Sequence, residues 1–301
     1  MEDGITREVL RSPGDLRPLR RREDGDLESD DDRVFPVLEG ILCLLDEAER
    51  GADLGDAGFY DEHPFGERDW SDPSDVEAGV ESDLKSLLAE YPSAALILDA
   101  GAGTGRISNY LSRAGYGNVI SLDYSLPSLR VVRRHSDNTC VWGNILRLPV
   151  QSGTCDLVIS SGVIHHTPDP ALAVRECARA LKPGGRLYLR TYNSRSIYGA
   201  LYHTYGALLR SLEGRPGLGA LVELGGFKPY ALARRLLRRD ARQDDRVLRA
   251  KFANLFTKRL VHFFGRRDID RLVRDSGLLV ERYERKGFTH RMHCHVARKP
   301  A

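Results

Sequence analysis

The sequence predicts an α/β protein with a doubly wound, mostly parallel sheet, and three observations point there. From residue 94 onward, short apolar runs alternate with stretches whose apolar residues repeat at helical spacing. The first run ends in a glycine-rich turn, Gly101-Ala-Gly-Thr-Gly105. The second ends on an acidic residue, Asp123, 18 residues beyond Gly105. Open α/β sheets hold nucleotide-like ligands in this way, over the carboxyl ends of their strands.

Residues 1–50 carry short apolar patches separated by Pro and Gly, which predicts a small β-rich module with little core of its own. Their density of Asp and Glu also fits a disordered acidic leader. Residues 51–90 begin as a Gly/Asp-rich linker holding the cluster Phe59-Tyr-Asp-Glu-His-Pro-Phe65. Tyr60 and His63 there either pack as core or cap a ligand pocket. Val76, Val80, Leu84, Leu87 and Leu88 then predict a helix.

The main domain is expected over 91–301. Its strands are predicted at 94–98, 118–122, 139–142, 156–160 and 186–190, with two more near 277–283 and 292–298. Helices are predicted near 104–114, 126–134 and 170–181, and residues 194–258 read as a helical insertion before the last two strands. The run at 94–98 is short and apolar enough to be buried on both faces. Gly101, Gly103 and Gly105 permit a close approach of backbone to ligand, and a helix opening near Thr104 leaves unpaired amides facing it. A tight strand-to-helix connection without a ligand has the same local pattern. Asp123 separates the two, because an acid at that strand end accepts the two hydroxyls of a ribose; alone, Asp123 and Ser125 would read as a helix cap.

The chain has 301 residues, 41% hydrophobic and 29% charged, enough for a large and a small unit with a proper core. Its five cysteines are scattered without a C-x-x-C pair, which suggests neither a disulfide framework nor a cysteine zinc site. The charged first residues and the lack of a long apolar run lead to the expectation of a cytoplasmic protein. Residues 1–90 hold 27 acidic and 10 basic side chains, whereas residues 91–301 hold 16 and 35. Either the halves neutralise one another or the basic half meets an anionic partner.

Five segments carry a family resemblance: Leu98-Asp-Ala-Gly-Ala-Gly-Thr-Gly-Arg106, Ser121-Leu-Asp-Tyr-Ser125, Gly143-Asn-Ile-Leu-Arg-Leu-Pro149, Cys155-Asp-Leu-Val-Ile-Ser-Ser-Gly-Val-Ile-His-His-Thr-Pro-Asp169 and Leu181-Lys-Pro-Gly-Gly-Arg-Leu187. In this order they resemble class I S-adenosylmethionine-dependent methyltransferases. The resemblance implies a Rossmann-like seven-stranded sheet and S-adenosyl-L-methionine as cofactor. It implies that Gly101, Gly103 and Gly105 lie beneath the methionine and ribose, with Asp99 near the cofactor's amino group. Asp123 would hold the ribose and Tyr124 cover the adenine. Asn144 stands where many members have an aspartate, and its carbonyl would meet the adenine amino group beside Ile145. Ser160 would touch the methionine end through its backbone, while Asp156 reads as structural. The N-terminal segment resembles the zinc-ribbon-like family that includes the activator subunit of tRNA and protein methyltransferases. It does so through Leu10-x-Ser-Pro-x-x-x-x-Pro-Leu19 and Phe35-Pro-Val-x-x-Gly-Ile-x-x-Leu-Leu45. That family's cysteine pairs would fall at Ser12–Asp15 and in 29–32, where no cysteine stands, so no zinc is expected.

Methyl transfer is an in-line displacement in which the protein supplies alignment and, for a hydroxyl or carbon acid, a base. His165 and His166 follow the fourth predicted strand, where acceptor and sulfonium would meet; each reads equally as base or as loop residue. Tyr192 and Asn193 are secondary pocket candidates. The insertion, with Tyr198, Tyr202, Tyr205, Leu208, Leu209 and Leu212, is expected to roof the acceptor pocket. An aromatic lid suits a small-molecule or lipid-like acceptor. RNA is the alternative, motivated by the basic half and the N-terminal resemblance, and a non-catalytic adaptor is a third reading that intact glycines disfavour. The run Leu232-Ala-Arg-Arg-Leu-Leu-Arg-Arg239 fits a solvated helix face, or a peripheral contact with an anionic membrane or nucleic acid. His290, His293, Cys294 and His295 invite a metal, but no carboxylate is expected beside them, so no metal is assigned. Oligomeric state is not legible.

Overall fold

The computed structural model describes residues 8–46, 49, 70, 72–212, 215, 218–236, 245–258, 260–286 and 291–301. Its N-terminal strands are β1 (Leu19–Arg21), β2 (Leu27–Ser29), β3 (Val34–Phe35), β4 (Val37–Leu38) and β5 (Ile41–Leu44). Two short helices follow, α1 (Pro73–Gly79) and α2 (Ser82–Leu88). The main alternation is β6 (Leu96–Ala100), α3 (Arg106–Arg113), β7 (Asn118–Asp123), α4 (Leu126–His135), β8 (Thr139–Gly143), β9 (Cys155–Ser161), α5 (Pro170–Ala180) and β10 (Leu181–Tyr192). The last strands are β11 (Leu279–Lys286) and β12 (Met292–Arg298).

The seven expected strands lie in one sheet in the order β11-β12-β10-β9-β6-β7-β8, and β5 and β4 extend it at the β8 edge. Pairing is parallel from β5 through β10, and antiparallel where β12 meets β10 and β11. The strands on either side of β6 belong to opposite windings, so the turn after β6 opens at the switch point where such sheets bind ligands. Ser125 and Asp169 cap α4 and α5 with their side chains, and a proline opens each helix.

The junction of β5 with β8 is the fold's departure from a bare seven-stranded sheet. Ile41, Leu42, Cys43 and Leu44 are all fully buried. Leu42 and Leu44 share one cluster with Leu98, Ile120 and Val158, as do Leu10, Leu27 and Phe35 from the first strands. Ile41 packs on the other face with Leu129 and Val132 of α4. The N-terminal strands thus draw on the core of the main sheet, and β5 covers backbone groups that β8 would leave open as an edge.

Ser12–Asp15 and the residues around 29–33 form an ion cluster. Ser12 donates to Asp15 and Ser29 to Asp31, and Arg33 bridges both aspartates. Arg17 adds an ion pair to Asp15 at 3.0 Å. Among the described residues no helix is long and apolar enough to cross a membrane.

The helical insertion has a small core of its own, formed by Leu209, Phe227, Ala231, Leu248 and Phe252. Its first helical stretch runs through Ile197–Leu201 and a wider turn at Tyr202–Gly206 into Ala207–Leu212.

Burying a leucine on both the strand and core sides removes its whole side chain from water. Leu42→Ala is therefore expected to lower the unfolding free energy by about 2–5 kcal/mol in a urea titration. A cost near zero would mean that β5 is not part of the cooperative core.

Candidate active site

The glycine turn is folded back onto the end of β7. The Leu122 carbonyl accepts both the Gly101 and Ala102 amides, at 2.8 and 2.9 Å. Asp123 then clamps the turn from the next residue: Gly103 N–H donates to Oδ2 at 2.7 Å and Ser125 N–H to Oδ1 at 2.8 Å. Gly101 has φ +98°, and a Cβ there would lie 2.3 Å from Val163. The turn thus needs glycine both for its backbone and for the loop packed on it. Outside, the Trp70 indole N–H donates to Thr104 at 3.1 Å, and Arg106 donates to the Gly79 carbonyl at 2.7 Å and to Glu81 at 2.8 Å.

Asp99 sits beneath the turn, fully buried. Its carboxylate accepts from Ser108 at 2.7 Å, Ser108 accepts from Ser121 at 2.8 Å, and Asn138 donates to Ser121 at 3.1 Å. This chain of bonds joins β6, α3 and β7. Burial pushes the Asp99 carboxyl up to about 6; the Ser108 bond and Arg106 oppose the rise and the charge of Asp123 adds to it.

Tyr124, Asn144 and Ile145 stand together at the other side of Asp123. The Asn144 carbonyl accepts the Leu146 amide at 2.9 Å and its NH2 donates to Glu49 at 2.9 Å. The Tyr124 hydroxyl donates to the Glu49 carbonyl, and Arg147 approaches the Glu49 carboxylate at 3.7 Å. Glu49 was missed in the sequence, where it lies in an acidic stretch that reads as solvated. Tyr60 and His63 lie outside the described residues.

Beyond the turn, Ser160 lies one residue before the end of β9 with its hydroxyl buried. The loop then passes Val163 into a short helical turn, Ile164–His166, that carries both histidines. His165 is fully buried against Tyr192, with ring centroids 3.9 Å apart, and His166 lies 4.4 Å from it, half-buried. Burial lowers both imidazoles well below the usual histidine range. The charges of Lys258, Arg291 and His262 lower both further, so the rings are neutral at pH 7. A hydrogen bond from His166 to the Leu260 carbonyl opposes this shift.

Tyr192 is the hub of this region. Tyr198 and Phe263 pack on it at 5.0 and 5.5 Å, and Arg291 donates to its hydroxyl at 3.1 Å. The His262 amide donates to the His165 carbonyl at 2.8 Å. Of the insertion's expected roof, Tyr198 and Tyr202 reach this cluster, whereas Leu209 belongs to the insertion's own core with Tyr205 beside it, and Leu208 is exposed. Lys258, His262, Phe263 and Arg291 had no motif to announce them. Asn193 instead ties its own loop, accepting the Arg195 amide at 2.9 Å.

The C-terminal histidines are held separately. The expectation that no carboxylate lies near them is corrected by Asp270, 3.1 Å from His295, and Asp83, which accepts from Cys294 at 3.0 Å. The helix Arg266–Asp275 brings in Asp270 and α2 brings in Asp83, which local spacing does not show, and His290 lies outside the described residues. His293 contacts the Tyr283 hydroxyl at 2.9 Å and the Phe264 carbonyl at 2.9 Å. Among the described residues, no group of three or more His, Cys, Asp or Glu is arranged to hold a metal. Asp156 accepts the Leu96 amide at 2.8 Å and pairs with Lys182, linking β9 to the start of β6.

Residues 98–189 match the methyltransferase domain family. The chain is 35% identical over 108 residues to the ubiquinone biosynthesis O-methyltransferase of Xanthomonas axonopodis pv. citri (strain 306), covering 34% of this chain and 45% of that protein. It thus spans about half the length of the curated relatives it matches. Two solved structures share the fold. Magnesium protoporphyrin IX methyltransferase from Synechocystis PCC 6803 has a TM-score of 0.53 at 16% identity, over 81% of this chain and 97% of that one. The 1,6-didemethyltoxoflavin-N1-methyltransferase of Burkholderia thailandensis has a TM-score of 0.51 at 17% identity, over 94% and 99%.

Asp99 yields a pH prediction. Its folded value of about 6 stands above the unfolded 3.8, so its proton stabilises the fold fully below about pH 4. That contribution is lost as the pH rises through 6. Asp99→Asn cannot ionise. Its unfolding free energy in urea is expected to vary less between pH 5 and pH 8 than the wild type's, by roughly 1–2 kcal/mol. Parallel pH profiles would contradict the assignment.

Proposed function

We propose, from a chain whose central segment matches the methyltransferase domain family, that the protein is an S-adenosylmethionine-dependent methyltransferase acting on a small-molecule or lipid-like acceptor. One observation carries the reading: Asp123 is clamped between the Gly103 and Ser125 amides, on the rim of a turn built from Gly101, Gly103 and Gly105. Each Asp123 oxygen accepts an amide, and a carboxylate offers about four lone-pair sites in all, the acceptor chemistry that ribose hydroxyls need. The residues fit the cofactor in other respects. Tyr124 and Ile145 offer flat and apolar surface for adenine, Asn144 and Glu49 offer polar edges, and Ser160 would meet the methionine end through its backbone. Asp99 holds the turn against α3 and places negative charge under the site of the cofactor's ammonium group. When bound, S-adenosylmethionine supplies the electrophilic methyl group.

The chain's own task is alignment and proton handling. Val163 packs on Gly101, and His165 and His166 follow it in the same loop. As neutral rings, they accept a proton from an acceptor hydroxyl or orient it. Tyr192, Tyr198 and Phe263 enclose the acceptor and exclude water. The O-methyltransferase names of the curated relatives support a small or lipid-like acceptor, and so does this aromatic enclosure.

Isothermal titration with S-adenosylmethionine tests the reading. Wild-type protein is expected to bind, and Asp123→Ala to weaken binding at least about 100-fold, the scale of two hydrogen bonds to a charged group. Absence of binding by the wild type, or unchanged affinity in the variant, would overturn it.

A further inference from the structure

The cluster around Tyr192 is assembled from four separated parts of the chain, and cations gather there: Lys258 and Arg291. Arg291 lies over the Tyr198 ring at 4.2 Å and the Tyr192 ring at 5.0 Å. Lys258, nearly buried, and His262 approach the two loop histidines closely enough to shift them. The largest charge effects on His165 and His166 come from cations and neighbouring histidines, and Arg291 has no acidic partner among the described residues.

Hydrogen bonding is also incomplete here. His165 is fully buried, yet neither ring nitrogen has a partner among the described residues, and the same holds for His262 Nε2 and Arg291 Nε. Each buried polar atom left unmatched costs about 1–3 kcal/mol. The Arg291 Nε–H and the N–H of the neutral His165 ring are donors left open beside a cation, and an occupant with acceptor oxygens would satisfy them.

From this arrangement we infer that the methyl acceptor is an aromatic or apolar molecule carrying an oxyanion, a carboxylate or phosphate, which Arg291 engages while Tyr192, Tyr198 and Phe263 hold its body. The inference rests on the methyltransferase reading and narrows its substrate class. Arg291 is suited to the role: its guanidinium is planar and always charged, and it already stacks on the rings that would flank the ligand. The loop gives the location. Val163 touches the glycine turn and His165 follows two residues later, so the oxyanion pocket lies next to the proposed cofactor site.

The test uses full-length protein saturated with S-adenosylhomocysteine and three probes of one shape: 2-naphthoate, 2-naphthyl phosphate and the neutral 2-naphthamide. Titration calorimetry is expected to show at least one anion binding tenfold or more tightly than the amide. Which anion binds identifies carboxylate or phosphate as the preferred group. Arg291→Met is expected to remove that preference, Arg291→Lys to retain part of it, and both to bind S-adenosylhomocysteine as the wild type does. Equal binding of anions and amide, no binding of either anion, or a preference unchanged in Arg291→Met would overturn the inference, leaving ordered water as the cluster's occupant. Failure of the methyltransferase reading is distinct, because it appears as loss of S-adenosylhomocysteine binding by the wild type before any probe is added.

Discussion

The hydrogen bond from the Gly103 amide to Asp123 is the interaction on which the site depends. It joins the tips of two adjacent parallel strands and so converts a flexible glycine turn into a surface of fixed shape. The Leu122 carbonyl fixes the same turn from the preceding residue by accepting two amides. Beneath it, the Asp99–Ser108–Ser121–Asn138 chain ties β6 to α3 and β7, so the turn cannot shift without breaking a buried network. Glycine supplies the conformation and Asp123 removes the freedom that glycine brings.

The second constraint is dielectric. His165 and His166 stay neutral because they are buried and because Lys258, Arg291 and His262 surround them with positive charge. The positive charge that keeps the rings neutral is also what the proposed anion would meet. The helical insertion contributes Tyr198 and Tyr202 to this wall while keeping a core of its own, so the roof and the sheet are joined mainly through the Tyr192 cluster.

Much of this was legible in the residues. The seven strands of the sheet follow from apolar runs of the right length, and Gly101–Gly105 with Asp123 stands out because its elements are close in sequence and chemically specific. The parallel pairing of β5 with β8 was not legible, since it joins segments about 100 residues apart that carry no pairing signal of their own. The same is true of Glu49 beside Asn144, whose acidic neighbours suggest only solvated surface. Arg291 and Lys258 were hidden by composition: in a half rich in arginine, no single cation is distinguished until the fold buries it.

The central claim is that the glycine turn and Asp123 hold a nucleoside whose sulfur faces the Tyr192 cluster. A crystal structure of the protein with S-adenosylhomocysteine tests it most directly. The account predicts both ribose hydroxyls on Asp123, adenine between Tyr124 and Ile145, and the sulfur directed toward His165 and His166. A nucleoside bound elsewhere, or one whose sulfur points away from that loop, would contradict it.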